Sequence, residues 1–159
     1  MSEGNGIVWE SVRFRVPCQG CAGTAEAVGG QGLVFGRLEW SEEIRCGGCG
    51  RRTVTCGRGE TPSWLRERLL AEGELSPARL VLTGEGGSGR SVVAMKVFRA
   101  RLGLDLAGAR ALLAEIESGH HEATLPEAAE LAEALRAVGV AAHAVPRGQT
   151  DCPISGCIS

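Results

Sequence analysis

The sequence contains no run of about 20 consecutive apolar residues, so we expect no membrane-spanning helix. It also lacks an N-terminal apolar stretch of signal-peptide length, because its first residues alternate in character and carry charges early. The seven cysteines are an odd number, which does not favour a fully paired disulfide framework. We therefore expect a cytoplasmic protein with reduced thiols and no membrane partner.

Tyrosine is absent, and aromatic residues make up only 4% of the chain, which leaves few side chains for stacking on nucleic-acid bases. The formal net charge is −2, and both signs are spread along the sequence. No strong overall field is available to attract nucleic acid or acidic lipid. Bulk charge thus gives no indication of a nucleic-acid-binding protein.

The sequence does contain two CxxC motifs, Cys18 with Cys21 and Cys46 with Cys49. A CxxC turn brings two sulfurs to one ion, and structural zinc takes four ligands in tetrahedral geometry. A chain of 159 residues forms one domain or two small ones, and a small domain usually needs a staple such as a metal ion. The motifs therefore predict a structural Zn²⁺ site that is coordinatively closed and does not activate water.

Two other roles for these cysteines stay open, namely a redox-active dithiol and small side chains that fill a core. A thioredoxin-like dithiol opens a helix, whereas neither CQGC nor CGGC is followed by a helical pattern, so the redox role is disfavoured. Cys56 follows the second motif, and we consider it an alternative ligand or an unpaired thiol near the site.

Alternating apolar residues predict a small β module around the cysteines. Strands are predicted over 7–16, 33–40 and 51–56, with a flexible glycine-rich turn between the first two. Strands and CxxC turns alternate in this order along the chain, which is typical of a zinc ribbon. We predict a zinc-ribbon-like module over residues 1–60.

The next segment has the signals of one helix. Thr61 is predicted to be its N-cap, Pro62 its first residue and Gly73 its end. Apolar residues recur between them at helical spacing, at Trp64, Leu65, Leu69 and Leu70. We predict that residues 61–76 form a connecting helix and linker.

The second half changes to mainly helical periodicity. We predict a strand over 79–83, helices over about 90–102, 106–117 and 126–138, and a final strand over 140–145. With a short optional strand before the last helix, the order is β-α-α-β-α-β, and the fold class of the whole chain is α+β. This domain is predicted to span 77–146, followed by a flexible tail over 147–159.

The run SVVAMKVFRARLGLDLAGARALL, followed by PEAAELAEALRAVGVAAHAV, resembles the C-terminal domain of the bacterial ribosomal stalk protein, large-subunit protein seven/twelve. The resemblance covers about half of the chain. It implies that two helices recruit translation GTPases, with Lys96, Arg99 and Arg110 at the family's basic positions. Ser91 stands where the family places a lysine, and the adjacent Arg90 is a candidate substitute. The family's dimerisation helices and long hinge are absent.

Independently of the resemblance, Lys96 and Arg99 are three positions apart and share one helical surface. They form a partner-binding patch or simply a solvated helix face. An RNA-binding ribbon is a minor alternative, for which the candidate residues are Arg13, Arg15, Arg51, Arg52 and Arg58. A protease adaptor, similar in fold to the stalk domain, is another minor alternative and rests on fold analogy alone.

The ending TDCPISGCIS combines thiols with hydroxyl groups in a short polar segment. Three interpretations stay open: a plain tail, a local cysteine pair, or a modified segment of a lanthipeptide-like precursor carried by the folded part. The candidate modified residues are Thr150, Cys152, Ser155 and Cys157.

No constellation typical of catalysis is found. His120 and His121 lie in a connection without a recognisable set of carboxylates, and the loop GEGGSG lacks the Lys-Ser/Thr ending of a P-loop. The sequence therefore predicts a non-enzymatic zinc-binding adaptor that contacts a protein partner, with translation GTPases or ribosomal components as candidates.

Overall fold

The computed structural model describes residues 7–149 and has an α+β architecture. The described chain forms a four-stranded antiparallel sheet, a two-stranded sheet and four helices. The predicted fold class is confirmed at this level. The candidate tail residues Thr150, Cys152, Ser155 and Cys157 lie outside the described residues.

The four-stranded sheet follows the chain order, with neighbouring strands joined by turns. Its strands are β1 (Val8–Pro17), β2 (Thr24–Val34), β3 (Arg37–Arg45) and β4 (Arg52–Arg58). Along β1, buried or half-buried residues alternate with exposed ones, as the sequence pattern predicted. One face of this sheet is therefore packed, and we call the opposite face, which carries Trp9, Arg13 and Arg15, the outer face.

The glycine-rich turn predicted before position 33 is wrong, because these residues lie inside β2. The Trp9 ring packs directly over Gly30 and Gly32, where any Cβ would overlap it. Glycine in a strand commonly marks such a close approach. The strand predicted over 33–40 is also wrong, since it contains the turn between β2 and β3, in which Phe35 has φ 49° and Gly36 has φ 76°.

Helix α1 (Ser63–Glu72) ends at Gly73 as predicted. Its Leu65 and Leu69 are fully buried against Val12 of β1, with Phe14 and Trp40 packed around them. The predicted N-cap is wrong, because Pro62 occupies that position and makes no side-chain cap. The Thr61 side chain is buried instead and accepts a hydrogen bond from Gln31 Nε2 at 2.8 Å.

The second half consists of β5 (Arg79–Leu82), α2 (Ser88–Leu102), α3 (Leu106–Ser118), α4 (Leu125–Ala137) and β6 (Ala142–Val145). Strands β5 and β6 pair antiparallel, with Arg79 opposite Val145. The optional middle strand is only an isolated bridge between Ala78 and Ala123. The core of this half is aliphatic around one aromatic ring, and its fully or nearly fully buried members include Leu80, Ala94, Phe98, Ala109, Ala132 and Leu135.

Local sequence signals explain where these helices begin and end. Gly103 and Gly119 adopt left-handed φ values of 66° and 78° and end α2 and α3. The Asp105 carboxylate caps α3 by accepting from the Gly108 amide at 2.7 Å. Thr124 and Glu127 form a capping box at the start of α4. No helix of residues 7–149 has the length and apolar character needed to cross a membrane.

A buried polar network joins the two halves. Gln31 of β2 is fully buried, and its amide donates to Thr61 and accepts from the Thr124 hydroxyl. Arg66 of α1 pairs with Glu127 of α4 at 2.7 Å. Helix α4 thus packs against the first sheet as well as against β5 and β6.

Candidate metal centre

The two CxxC motifs lie in turns at the same end of the four-stranded sheet. The first turn joins β1 to β2, and the second joins β3 to β4. Since consecutive antiparallel strands reverse direction, turns that are two strands apart return to the same end. The sheet topology therefore brings Cys18 and Cys21 next to Cys46 and Cys49.

The four sulfur atoms form one compact cluster, within 4.8 Å of one another. Cys18 Sγ lies 3.7 Å from Cys49 Sγ, and Cys21 Sγ lies 3.6 Å from Cys46 Sγ. A tetrahedral site with Zn–S bonds of about 2.3 Å places its sulfurs about 3.8 Å apart. The observed separations fit a metal ion of this size, so the cluster is a candidate Cys₄ metal site.

Backbone hydrogen bonds hold the first turn in shape. The Gly20 amide donates to Cys18 Sγ at 3.3 Å, and the Gly23 amide donates to Cys21 Sγ at 3.4 Å. The Cys18 amide donates to the Gly23 carbonyl at 2.9 Å and closes the loop. Amides aimed at sulfur stabilise thiolate, which is the form that binds metal.

The second turn is closed by a similar arrangement. The Cys46 amide donates to the Arg51 carbonyl at 2.9 Å, and the Gly50 amide donates to the Cys46 carbonyl at 3.0 Å. Gly50 has a φ of 74°, a left-handed conformation that glycine adopts without steric cost. Glycine is therefore the favoured residue at this position of the turn.

The turns affect the pKa values of two thiols in opposite directions. Amide hydrogen bonds from Cys49 and Gly48 lower the pKa of Cys46 to about 6, with the neighbouring thiols as smaller causes. The Gly23 amide lowers the pKa of Cys21, but the nearby thiols of Cys46 and Cys18 outweigh it, and the pKa is raised to about 11. A cation among the sulfurs favours all four thiolates together, so ligation is coupled to proton release.

Exposure differs among the four cysteines. Cys46 is 1% exposed, Cys18 is half-buried, and Cys21 and Cys49 are exposed. The Arg51 side chain lies across the first turn, with its Nη1 3.2 Å from the position that a Cβ on Gly20 would occupy. If a divalent ion binds here with four thiolates, a guanidinium at this place would partly balance their negative charge. No pattern in the sequence predicts that Arg51 contacts this turn.

Cys56 is not part of the sulfur cluster. It is exposed on β4, opposite Ser41 of β3. Within residues 7–149, the two CxxC pairs form the one group of at least three histidine, cysteine or acidic side chains close enough to hold a metal.

The predicted partner-binding residues lie on α2 and α3. Lys96 and Arg99 are exposed on α2, and Arg110 is exposed on α3. Arg90, at the start of α2, is less exposed, and its Nη2 lies 3.6 Å from Glu117 Oε1 at the end of α3. Arg90 is therefore turned towards α3 and the loop before α2.

The histidines of the connection after α3 have separate surroundings. His120 is exposed and its Nδ1 lies 2.9 Å from Ser118 Oγ. His121 is less exposed, and its Nδ1 lies 3.9 Å from Glu115 Oε2. The run GEGGSG leads from β5 into α2, but its last two residues, Ser88 and Gly89, already belong to the helix, which was predicted to begin at about 90.

Comparison with known proteins returned no match to a family model, to a curated protein or to a solved structure.

Proposed function

We propose that this chain is a non-enzymatic adaptor in which one structural Zn²⁺ ion stabilises the first sheet and the second half binds a protein partner. The observation that carries the proposal is the cluster of four cysteine sulfurs within 4.8 Å. Cys18, Cys21, Cys46 and Cys49 would hold the ion. Four protein ligands leave no position for water or substrate, so the ion contributes folding free energy and no catalysis.

The position of the cluster supports a structural role for the ion. It ties the turn between β1 and β2 to the turn between β3 and β4, which are separated along the chain by two whole strands. Strand β4 is exposed along most of its length and packs little of its own surface. A metal link at its beginning thus supplies stability that side-chain burial does not.

The zinc site is tested with purified full-length protein by elemental analysis and thermal unfolding. We expect one zinc per chain, and Cys46→Ser should lose the metal and lower the melting temperature. Cys56→Ser is the matched control, because it removes an exposed thiol outside the cluster. Protein that contains no zinc, or a Cys46→Ser variant that keeps full metal content, would contradict the proposal.

The exposed basic side chains of α2 and α3 support the second part of the proposal. Lys96 and Arg99 share one helical surface, and exposed apolar side chains such as Val92 and Leu106 lie on the same two helices. Mixed basic and apolar surface suits a protein partner with an acidic contact site. The resemblance to the ribosomal stalk domain suggests translation GTPases as that partner.

Binding is tested by capture of a purified bacterial elongation factor in its GTP-bound form. We expect the double variant Lys96→Glu, Arg99→Glu to reduce capture at least about tenfold, since reversed charges meet the partner's acidic site. The control reverses two exposed arginines on the first sheet, Arg13→Glu and Arg37→Glu. Equal capture by both double variants would count against this surface, and no capture by the unmodified protein would remove translation GTPases as the partner.

RNA binding by the first sheet is a second candidate, because the strand register gathers several arginines on one face. Arg13 and Arg15 share the outer face with Arg52 and Arg58, next to the exposed Trp9 ring. Two of these charges are already paired, Arg52 with Glu43 and Arg58 with Glu39. The outer face is therefore less basic than the sequence suggested, and salt-dependent binding of single-stranded RNA would favour this candidate.

A further inference from the structure

Strand β4 forms one edge of the first sheet, and its outer edge is open. The strand order is β1-β2-β3-β4, and within residues 7–149 β4 contacts β3 but no other strand or helix. Six of its seven residues are exposed, and Val54 keeps 56% of its surface accessible. An edge strand presents a row of backbone N–H and C=O groups that can pair with a further strand.

The features that commonly keep an edge strand from pairing are absent from β4. Its central residues 53–57, between Arg52 and Arg58, are uncharged and include neither lysine nor proline. The register with β3 is continuous over all seven residues, so no bulge bends the edge away. The middle of β4 is therefore a flat, uncharged edge that suits strand pairing.

The opposite edge of the sheet is protected. Strand β1 ends at Pro17 and carries Arg13 and Arg15 along its length. Charges and prolines on an edge disfavour the addition of another strand. An assembly built on strand pairing would thus join β4 to β4, which closes as a two-fold dimer, and not β4 to β1, which would continue from copy to copy.

The sequence of β4 is complementary to an antiparallel copy of itself. When Val54 lies opposite Val54 of the second copy, Thr53 faces Thr55 and Arg52 faces Cys56. Pairs of β-branched side chains and pairs of threonines stabilise neighbouring strands, whereas like charges placed directly opposite destabilise them. This register provides the favourable pairs and places no two like charges directly opposite each other.

The charges at the two ends of β4 are already paired within the chain. Arg52 Nε lies 3.0 Å from Glu43 Oε1, and Arg58 Nε lies 3.3 Å from Glu39 Oε1. Because both guanidinium groups have a carboxylate on β3, this edge has little electrostatic preference for an acidic segment of another protein. A second copy, whose uncharged central residues match this strand, suits the edge better.

We propose that two copies of this chain pair antiparallel through β4, centred on Val54, and join their four-stranded sheets into one continuous sheet. The pairing uses residues 52–56 of each copy and buries less area than a standard protein interface. We therefore expect a reversible dimer with a dissociation constant on the order of 10–100 μM. The proposal requires neither bound zinc nor the basic surface of α2 and α3.

The experiment is sedimentation equilibrium of the full-length protein over a concentration range from about 1 to about 500 μM, which brackets the expected dissociation constant. We expect the average mass to rise from one chain to two and to stop there. Amide hydrogen exchange of residues 52–56 should slow as the protein concentration rises, because dimerisation protects the edge. A mass that stays at one chain throughout, or exchange that slows elsewhere and not in β4, would overturn the proposal.

A variant at the centre of the pairing tests the surface. Val54→Lys should weaken dimerisation at least about tenfold, which corresponds to about 1.4 kcal/mol, because it places two like charges opposite each other. Val138→Lys is the matched control, since it makes the same change at an exposed valine outside the first sheet, and it should leave the dimer intact. Equal weakening by both variants would show that added charge alone causes the effect and would overturn the proposal.

The register is tested by mixing two charged variants. Val54→Lys and Val54→Glu should each be monomeric alone, whereas their mixture should form a dimer of one chain of each kind, because opposite charges then face each other. A mixture that stays monomeric would contradict the register centred on Val54. Val54→Ile keeps the apolar contact and should dimerise at least as tightly as the unmodified protein, which keeps the test informative if a charged variant fails to fold.

Discussion

Ser76 Oγ donates a hydrogen bond of 2.7 Å to Glu10 Oε2, and this contact joins the segment before β5 to the first strand of the chain. The other carboxylate oxygen of Glu10 accepts from the Ser76 amide at 3.1 Å and from the Leu75 amide at 3.3 Å. Glu10 is only 5% exposed, and Ser76 is fully buried. The buried Glu10 carboxylate thus accepts the backbone hydrogen bonds of the segment that joins the two halves.

Replacing Glu10 by alanine should destabilise the whole protein. The change leaves the Ser76 hydroxyl and two backbone amides without an acceptor in a buried place, which costs about 2–4 kcal/mol in the free energy of unfolding. Urea denaturation followed by circular dichroism measures it. Glu26→Ala is the control, because Glu26 is exposed on the outer face of β2, and it should change stability by less than about 0.5 kcal/mol. Equal effects of both changes would show that the Glu10 contacts contribute little.

A comparison of two helix caps measures how much the hydrogen bond between Thr124 and Gln31, which joins the two halves, contributes to stability. Thr124 and Asp105 both cap a helix in the second half, but Thr124 also donates to the buried Gln31. Asp105→Ala should cost about 1 kcal/mol, the usual effect of losing a cap. Thr124→Ala should cost about 2–4 kcal/mol, because it also leaves the Gln31 oxygen unsatisfied. Thr124→Ser should retain most of the stability, and a Thr124→Ala cost no larger than that of Asp105→Ala would contradict the role of Gln31.

Substitution of glycine by alanine should have opposite effects at two places in the fold. At Gly32, a methyl group would overlap the Trp9 ring, so Gly32→Ala should destabilise the first sheet by about 1–3 kcal/mol. At Gly89, within α2, a Cβ meets nothing within 4 Å, so Gly89→Ala should stabilise by about 0.5–1 kcal/mol. Thermal unfolding of both variants tests this. If Trp9→Ala does not reduce the cost of Gly32→Ala, the overlap with the ring is not its cause.

His121 should make the free energy of unfolding decrease as the pH falls below 6.5, the ordinary pKa of histidine. Burial lowers its pKa from 6.5, outweighing the carboxylates of Glu115 and Glu127 that raise it, while Arg66 lowers it further. Below pH 6.5 the unfolded chain therefore binds more protons than the folded one. The stability contributed by neutral His121 is complete above pH 6.5 and is lost as the pH falls towards the folded pKa.

The measurement compares the free energy of unfolding of the unmodified protein with that of His121→Asn. The pH is varied from about 5 to about 8, a range that brackets the ordinary titration of histidine. We expect the unmodified protein to lose more stability on acidification than the variant. His120→Asn, which changes the exposed neighbouring histidine, should follow the unmodified protein. Burial also raises the pKa of Glu130, but this group is common to all three proteins and cancels from the comparison. Parallel curves for the unmodified protein and His121→Asn would exclude this role of His121.

The features that could be predicted from the sequence are those encoded locally. Each CxxC turn is a short motif, and the four cysteines do lie in one cluster. The three predicted strands would put the two turns at opposite ends of an antiparallel sheet, and the additional strand β2 brings them to the same end. The ends of α2 and α3 follow from Gly103 and Gly119, which adopt the left-handed conformation that stops a helix. These signals involve neighbouring residues, so tertiary contacts do not change their meaning.

The features that could not be predicted depend on residues far apart in the sequence. Gly30 and Gly32 resemble turn residues in isolation, and only the Trp9 ring packed over them explains a strand. Thr61 stands before Pro62 as an N-cap residue commonly does, but its hydroxyl accepts a hydrogen bond from Gln31 instead. Glu10 alternates in step with Val8 and Val12, so the pattern places it on the packed face of β1. Its hydrogen-bond partners belong to the other half of the chain, and no local pattern identifies them. Local patterns cannot report such pairings.

The two sheets differ in how far apart their paired strands lie along the chain. In the first sheet every strand pairs with its neighbour in sequence, so each hairpin can form by closing a short loop. In the second half, Arg79 of β5 pairs with Val145 of β6, and three helices lie between these two strands along the chain. Because long loops close slowly, we expect the metal-bearing sheet to form early and β6 to join late. A nascent chain that still lacks β6 would therefore offer β5 without its partner, and the second sheet is complete only once Ala142–Val145 has been synthesised.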